Sequence, residues 1–72
     1  MAVDPIAIGI KKLIDEKGLL QKAVATKAGF TPQQFSDMLN DRRILRAIDI
    51  VPIANALGVE VSDIYEAGRQ SA

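Results

Sequence analysis

Apolar residues recur three and four positions apart from Ile6 to Tyr65, and nowhere do they alternate with the period of two that a half-buried strand requires. The pattern predicts an all-α chain, a compact bundle of about five short helices punctuated by Gly18, Gly29, Asn40-Asp41, Gly58 and Gly68. Asp4 as N-cap and Pro5 at the first helical position open the first helix, whose inner stripe is Ile6, Ile10, Leu13 and Ile14. Its other side, Lys11, Lys12, Asp15 and Glu16, reads as a solvated face. The second helix runs from about Gln21 to Ala28, buries Val24 and Ala28, and stops at Gly29, the residue best able to take positive φ past a helix end.

The third helix carries the clearest start signal. Thr31-Pro32-Gln33-Gln34 sets a hydroxyl at the N-cap, proline at N1 and glutamine at N3, which is the capping-box pattern. With Phe35, Met38 and Leu39 turned inward, Gln33, Ser36, Asp37 and Asn40 share the opposite side. Lys and Glu are the usual residues of a merely solvated helix face, whereas amides with paired donors and acceptors are what reading base edges requires. Gln34 belongs to the cap or to a backbone contact; Gln33 has no such local job in the pattern.

Proline is awkward inside a helix, so Pro52 sets the start of the fourth. Asp49 as N-cap places Pro52 at N3, where its missing N–H needs no partner, with Ile50, Ile53, Ala54 and Leu57 as the buried stripe. Ala47 and Ile48 then form an irregular turn or a kinked first segment. The fifth helix is expected from Val61 to about Glu66, giving one domain over residues 1–66 and a flexible tail over 67–72.

Composition narrows the chemistry. A chain of 72 residues has room for one core and no deep cleft, and it lacks histidine and cysteine, the commonest metal ligands and the readiest general base near neutral pH. No enzyme, metal, cofactor or small-molecule ligand is expected. The opening MAVDPIAIGIKK puts an acid and a proline before its apolar stretch and lysines after it, the wrong order for a secretory signal. No apolar run approaches the roughly 18 residues of a membrane span, so a cytoplasmic protein is expected.

The net charge is zero, but it is unevenly spread. Residues 20–46 set Lys22, Lys27, Arg42, Arg43 and Arg46 against Asp37 and Asp41, while residues 47–72 set Asp49, Glu60, Asp63 and Glu66 against Arg69. Arg42, Arg43 and Arg46 follow the amide-bearing helix, where they are placed to hold phosphate on one flank of a groove. Asp37 is at odds with phosphate unless it accepts from a cytosine N4 amino group.

A small residue at Ala25, glycine at position 29 and apolar residues at 35 and 38 fit two helices crossing steeply through a short turn. On these residues LLQKAVATKAGFTPQQFSDMLNDRR resembles the helix-turn-helix of the Cro and lambda-repressor-like (XRE-type) family, and IANALGVEVSDIY resembles its closing helices; the likeness spans roughly residues 8–66. The resemblance implies a lambda-repressor-like domain with its helix-turn-helix at the second and third helices. It implies that Gln21 hydrogen-bonds a DNA phosphate and braces the recognition helix, and that Thr31, Pro32, Gln33 and Ser36 lie at the leading end of that helix as it enters the major groove. Asn40 matches a residue that contacts the sugar-phosphate backbone, its plainer role being to end the helix in a left-handed conformation. Dimerisation near the C-terminus is also implied, with Val61 and Tyr65 as interface residues while Val59 and Ile64 complete the core. Leu20 departs from the family pattern by leaving the second helix without a side-chain cap, Pro32 has no N–H for a phosphate, and Asp41 stands where glycine is frequent.

The expected function is a sequence-specific transcriptional regulator, a repressor, that inserts residues 31–40 into the major groove of double-stranded DNA as a homodimer. Pro32, Gln33, Ser36 and Asp37 would read bases, and Gln21, Lys22, Thr31, Gln34, Asn40, Arg42, Arg43 and Arg46 would hold the backbone. The alternative is an adaptor or antitoxin-like module that uses the same fold to bind protein.

Overall fold

The computed structural model describes residues 5–40 and 42–70, whose regular structure is all helical: α1 (Pro5–Glu16), α2 (Gln21–Ala28), α3 (Pro32–Leu39), α4 (Ala47–Leu57) and α5 (Val61–Gln70). Asp4, the expected N-cap of the first helix, and Asp41, which stands where glycine is frequent, lie outside the described residues. No helix among the described residues is long and apolar enough to cross a membrane.

One core joins the five helices. Its largest fully buried side chains are Phe35, Ile10, Met38, Leu39, Ile53 and Ile64, so α3, only eight residues long, supplies three of the six. Each such side chain contributes about 1.5–3 kcal/mol when taken out of water, enough to clamp a helix too short to persist alone. Ile50, Ala54 and Leu57 of α4 and Val24 and Ala25 of α2 complete the centre, with Ala28 half-buried at its edge.

The terminal helices meet at backbone distance. A methyl group placed on Gly9 of α1 would overlap the Ile64 carbonyl oxygen and come within 3.0 Å of the Gly68 nitrogen; one placed on Gly68 would overlap the Pro5 carbonyl oxygen. Only glycine fits on either side of this crossing. It explains why α5 does not stop near Glu66: the helix continues to Gln70, with Ala67 and Gly68 buried, so the expected tail is helical over its first four residues. Gly68, which reads as a break, is a contact instead.

The start of α4 also differs from expectation. The N-cap is Arg46, not Asp49, and Ala47 and Ile48 are regular helix. Asp49 sits at N3 and reaches back, its Oδ2 accepting the Arg46 backbone N–H at 3.1 Å and lying 3.5 Å from Arg46 Nε. Only this half of a capping box is possible, because a guanidinium has no acceptor to offer the N3 amide. Starting one turn earlier leaves Pro52 inside the helix, where the Ile48 carbonyl loses its usual i+4 donor. The carboxylate compensates by satisfying an N-terminal donor near the positive end of the helix dipole. α5 begins the same way, with Asp63 Oδ2 accepting the Glu60 N–H at 2.9 Å.

Replacing Gly9 by alanine tests the α1–α5 crossing. Helix propensity alone would favour alanine by about 1 kcal/mol, but overpacking against the Ile64 carbonyl is expected to dominate, giving a net loss of about 1–3 kcal/mol in urea unfolding. A gain in stability would show that the two backbones do not touch.

Candidate nucleic-acid interface

The turn between α2 and α3 fixes where the third helix points. Gly29 adopts φ +90°, and the amides of Gly29 and Phe30 donate to the Thr26 and Ala25 carbonyls at 3.1 and 2.9 Å, closing α2. The Phe30 ring then stacks on Phe35 of α3, centroids 6.5 Å apart and planes inclined by 15°. Ala25, fully buried, lets the helices approach. One residue later Thr31 Oγ1 accepts the Gln34 N–H at 3.1 Å, and Gln34 Oε1 accepts the Thr31 N–H at 2.9 Å. Both halves of the expected capping box are present. The carbonyl of Gln34 is therefore committed to the cap, and the side chain is half-buried.

Outward from this frame, Thr31, Pro32 and Gln33 are exposed while Ser36 and Asp37 are half-buried on the same side of α3. Gln33 does have a local partner: its Nε2 donates to Asp37 Oδ1 at 2.9 Å. The i, i+4 spacing of Gln33 and Asp37 is the sequence signal for this pair. Asn40 ends the helix without entering the left-handed region, at φ −112° and ψ 21°. Its side chain caps instead, Nδ2 donating to the Ser36 carbonyl at 2.8 Å and lying 3.3 Å from Ser36 Oγ. The Arg42 N–H donates to the Asp37 carbonyl at 2.8 Å, which holds the following arginines close to the helix end.

Cations stand at both ends of α3. Lys22 and Lys27 line a shallow depression shared with Ala23, Thr26 and Pro32, beside the start of the helix. At the other end are the exposed Arg42 and Arg43, joined by Lys11 of α1, whose Nζ lies 3.4 Å from Asn40 Oδ1. The sequence placed Lys11 on a solvated face and used Lys27 only in the charge balance; nothing local signals the Lys11 contact, which spans 29 positions. Arg46 is exposed but tied to Asp49. Gln21 is the exposed first residue of α2, whose N-cap, Leu20, makes no side-chain cap bond.

Val61 and Tyr65 lie on α5, which packs against α1 and α4. Val61, like Val59, is half-buried and packs on the core, Ile64 is fully buried in it, and Tyr65 is 45% exposed. Ile44 and Ile48, which the sequence pattern did not single out, are 81% and 74% exposed in the segment that follows the arginines.

The profile of the Helix-turn-helix family matches residues 10–64. No curated protein sequence matches the chain. Among solved structures, two crystal structures of the clp gene regulator ClgR from Corynebacterium glutamicum are similar in fold at 18% identity. One superposes with a TM-score of 0.84 over 93% of this chain and 87% of its own, and the second with 0.83 over 93% and 71%.

Capping and reading should separate on substitution. Thr31→Ala is expected to lower stability by about 1 kcal/mol in urea unfolding, whereas Gln33→Ala should change it by no more than about 0.5 kcal/mol. Equal losses would mark Gln33 as a structural residue.

Proposed function

The chain belongs to the XRE-type helix-turn-helix family of DNA-binding transcription regulators, and from that premise we propose that it is a repressor that occupies an operator by laying α3 in the major groove. The observation that carries this reading is an exposed amide at the leading end of a rigidly held helix with cations at both of its ends. A major groove about 12 Å wide admits one α-helix, and backbone contacts on either side set its register. Pro32, Gln33, Ser36 and Asp37 face the bases. Gln21, Lys22, Thr31, Gln34, Asn40, Arg42, Arg43 and Arg46 meet the sugar-phosphate strands, with Lys11 and Lys27 reinforcing the two ends. The protein works in the cytoplasm.

Pairing through Val61 and Tyr65 completes the proposal. Two copies related by a two-fold axis present two α3 helices to half-sites roughly 34 Å apart, one turn of DNA. Two linked half-site contacts act as one multivalent ligand, which a small domain with few phosphate contacts needs.

Salt titration tests the electrostatic part. On a duplex recovered by random-site selection, log Kobs should fall linearly with log salt by about 0.9 per phosphate contact, and an Arg42→Ala/Arg43→Ala double variant should lose about two units of slope. A flat response would instead favour a protein-docking module. For pairing, Tyr65→Ala is expected to weaken binding to a two-half-site duplex at least tenfold, by loss of that multivalency, while leaving single-half-site affinity unchanged. Equal effects on both duplexes would remove Tyr65 from the interface.

A further inference from the structure

The Gln33–Asp37 hydrogen bond gives the reading face a polarity that neither residue has alone. An ionised carboxylate only accepts, so the side of the Gln33 amide that meets Asp37 Oδ1 at 2.9 Å must be the NH2. The usual freedom of a glutamine to present either edge is thereby lost. One amide hydrogen is occupied by Asp37, and where that is the hydrogen trans to the carbonyl oxygen, what remains for a base is the oxygen and the hydrogen beside it. An acceptor beside a donor complements adenine, which shows an N6 amino donor and an N7 acceptor in the major groove. Guanine shows two acceptors there, O6 and N7, and the fixed carbonyl oxygen would oppose one of them.

We propose that Asp37 is a positioning residue for Gln33, and that the hydrogen-bonded pair forms one unit selecting adenine over guanine at a single base pair. This rests on the DNA-binding reading above and replaces the expectation that Asp37 reads a cytosine of its own. Burial supports the division of roles: Gln33 is exposed, while Asp37, one turn further along, is half-buried. The Asp37 main chain is held as well, its carbonyl accepting from Asn40 and Arg42, so the carboxylate projects from a fixed point.

Random-site selection with sequencing, run in parallel on the parent, Gln33→Ala, Asp37→Ala and Asp37→Asn proteins, tests the proposal. Thermal melts monitored by circular dichroism confirm that each is folded. The parent should enrich an A·T pair at the position relaxed by Gln33→Ala. Asp37→Ala should relax that same pair, cutting its preference for A·T over G·C by about tenfold, the scale of one good bidentate contact. Asp37→Asn keeps an oxygen acceptor without the charge and should retain the preference, which simple relief of phosphate repulsion would not distinguish from Asp37→Ala. Relaxation at a different base pair would make Asp37 an independent reader, and an unchanged motif would make it a bystander; either result overturns the inference and leaves the DNA-binding reading standing. A parent that enriches no sequence at low salt ends both.

Discussion

Three consecutive residues, Gly29, Phe30 and Thr31, hold the constraint on which the rest depends. Gly29 turns the chain back through a conformation that a side chain would strain, Phe30 closes α2 with its amide and stacks on Phe35, and Thr31 caps α3. Each bond is worth little alone, about 0.5–1.5 kcal/mol net. Together they leave α3 no hinge at its leading end, while Phe35, Met38 and Leu39 bury its inner side. A binding constellation must be held within about half an ångström by its supporting residues to discriminate, and an eight-residue helix has no rigidity of its own to offer. Position here comes from the turn and the core.

Where signals were local, the fold was legible. Thr31-Pro32-x-Gln34 has essentially one structural meaning, and Gly29 could be assigned its left-handed role from its place after Ala28. Asp49-x-x-Pro52 has two meanings, because an aspartate can cap a helix it precedes or reach back from its third position, and the choice was decided by the Arg46 amide and guanidinium against which it lies. The α1–α5 crossing was invisible for a different reason. Glycine in a sequence announces conformational freedom, whereas Gly9 and Gly68 are present for the absence of a side chain, and the surfaces that demand it lie at opposite ends of the chain. The same limit hid Lys11 beside Asn40. At the candidate site the residue types on the exposed side of α3 were readable, but the partnership of Gln33 with Asp37 required knowing that both side chains lean along the helix toward one another.

A net charge of zero looks unsuited to an anionic partner until the carboxylates are located. Asp49 and Asp63 sit at the third positions of α4 and α5 with their oxygens on backbone amides, at the ends of the dipole where negative charge is stabilising. Those acids serve the fold. Exposed charges further apart than about 8–10 Å are largely screened at physiological salt, so a phosphate at α3 responds to Lys11, Lys22, Lys27, Arg42 and Arg43 more than to the sum over the chain. Two of the nine carboxylates thus serve helix capping, away from the cations that flank α3 and that the proposed phosphate contacts would use.

Asp37 puts a carboxylate on the proposed reading face itself, which any account based on affinity alone would count as a defect. Phosphate repulsion by Asp37 acts on every duplex alike, lowering specific and non-specific binding by similar factors. On the proposed reading its hold on the Gln33 amide acts at one base pair only. Specificity is a difference of affinities, and a regulator facing a genome's excess of competing sites is limited by the ratio of the two rather than by either. A uniform loss cancels from that ratio and an orientation that rejects guanine does not, so on the proposed reading a carboxylate that weakens binding everywhere still sharpens the choice of site through the acceptor it offers Gln33. On that reading a residue at position 37 with no oxygen acceptor, such as alanine, would bind DNA more tightly and distinguish it less well.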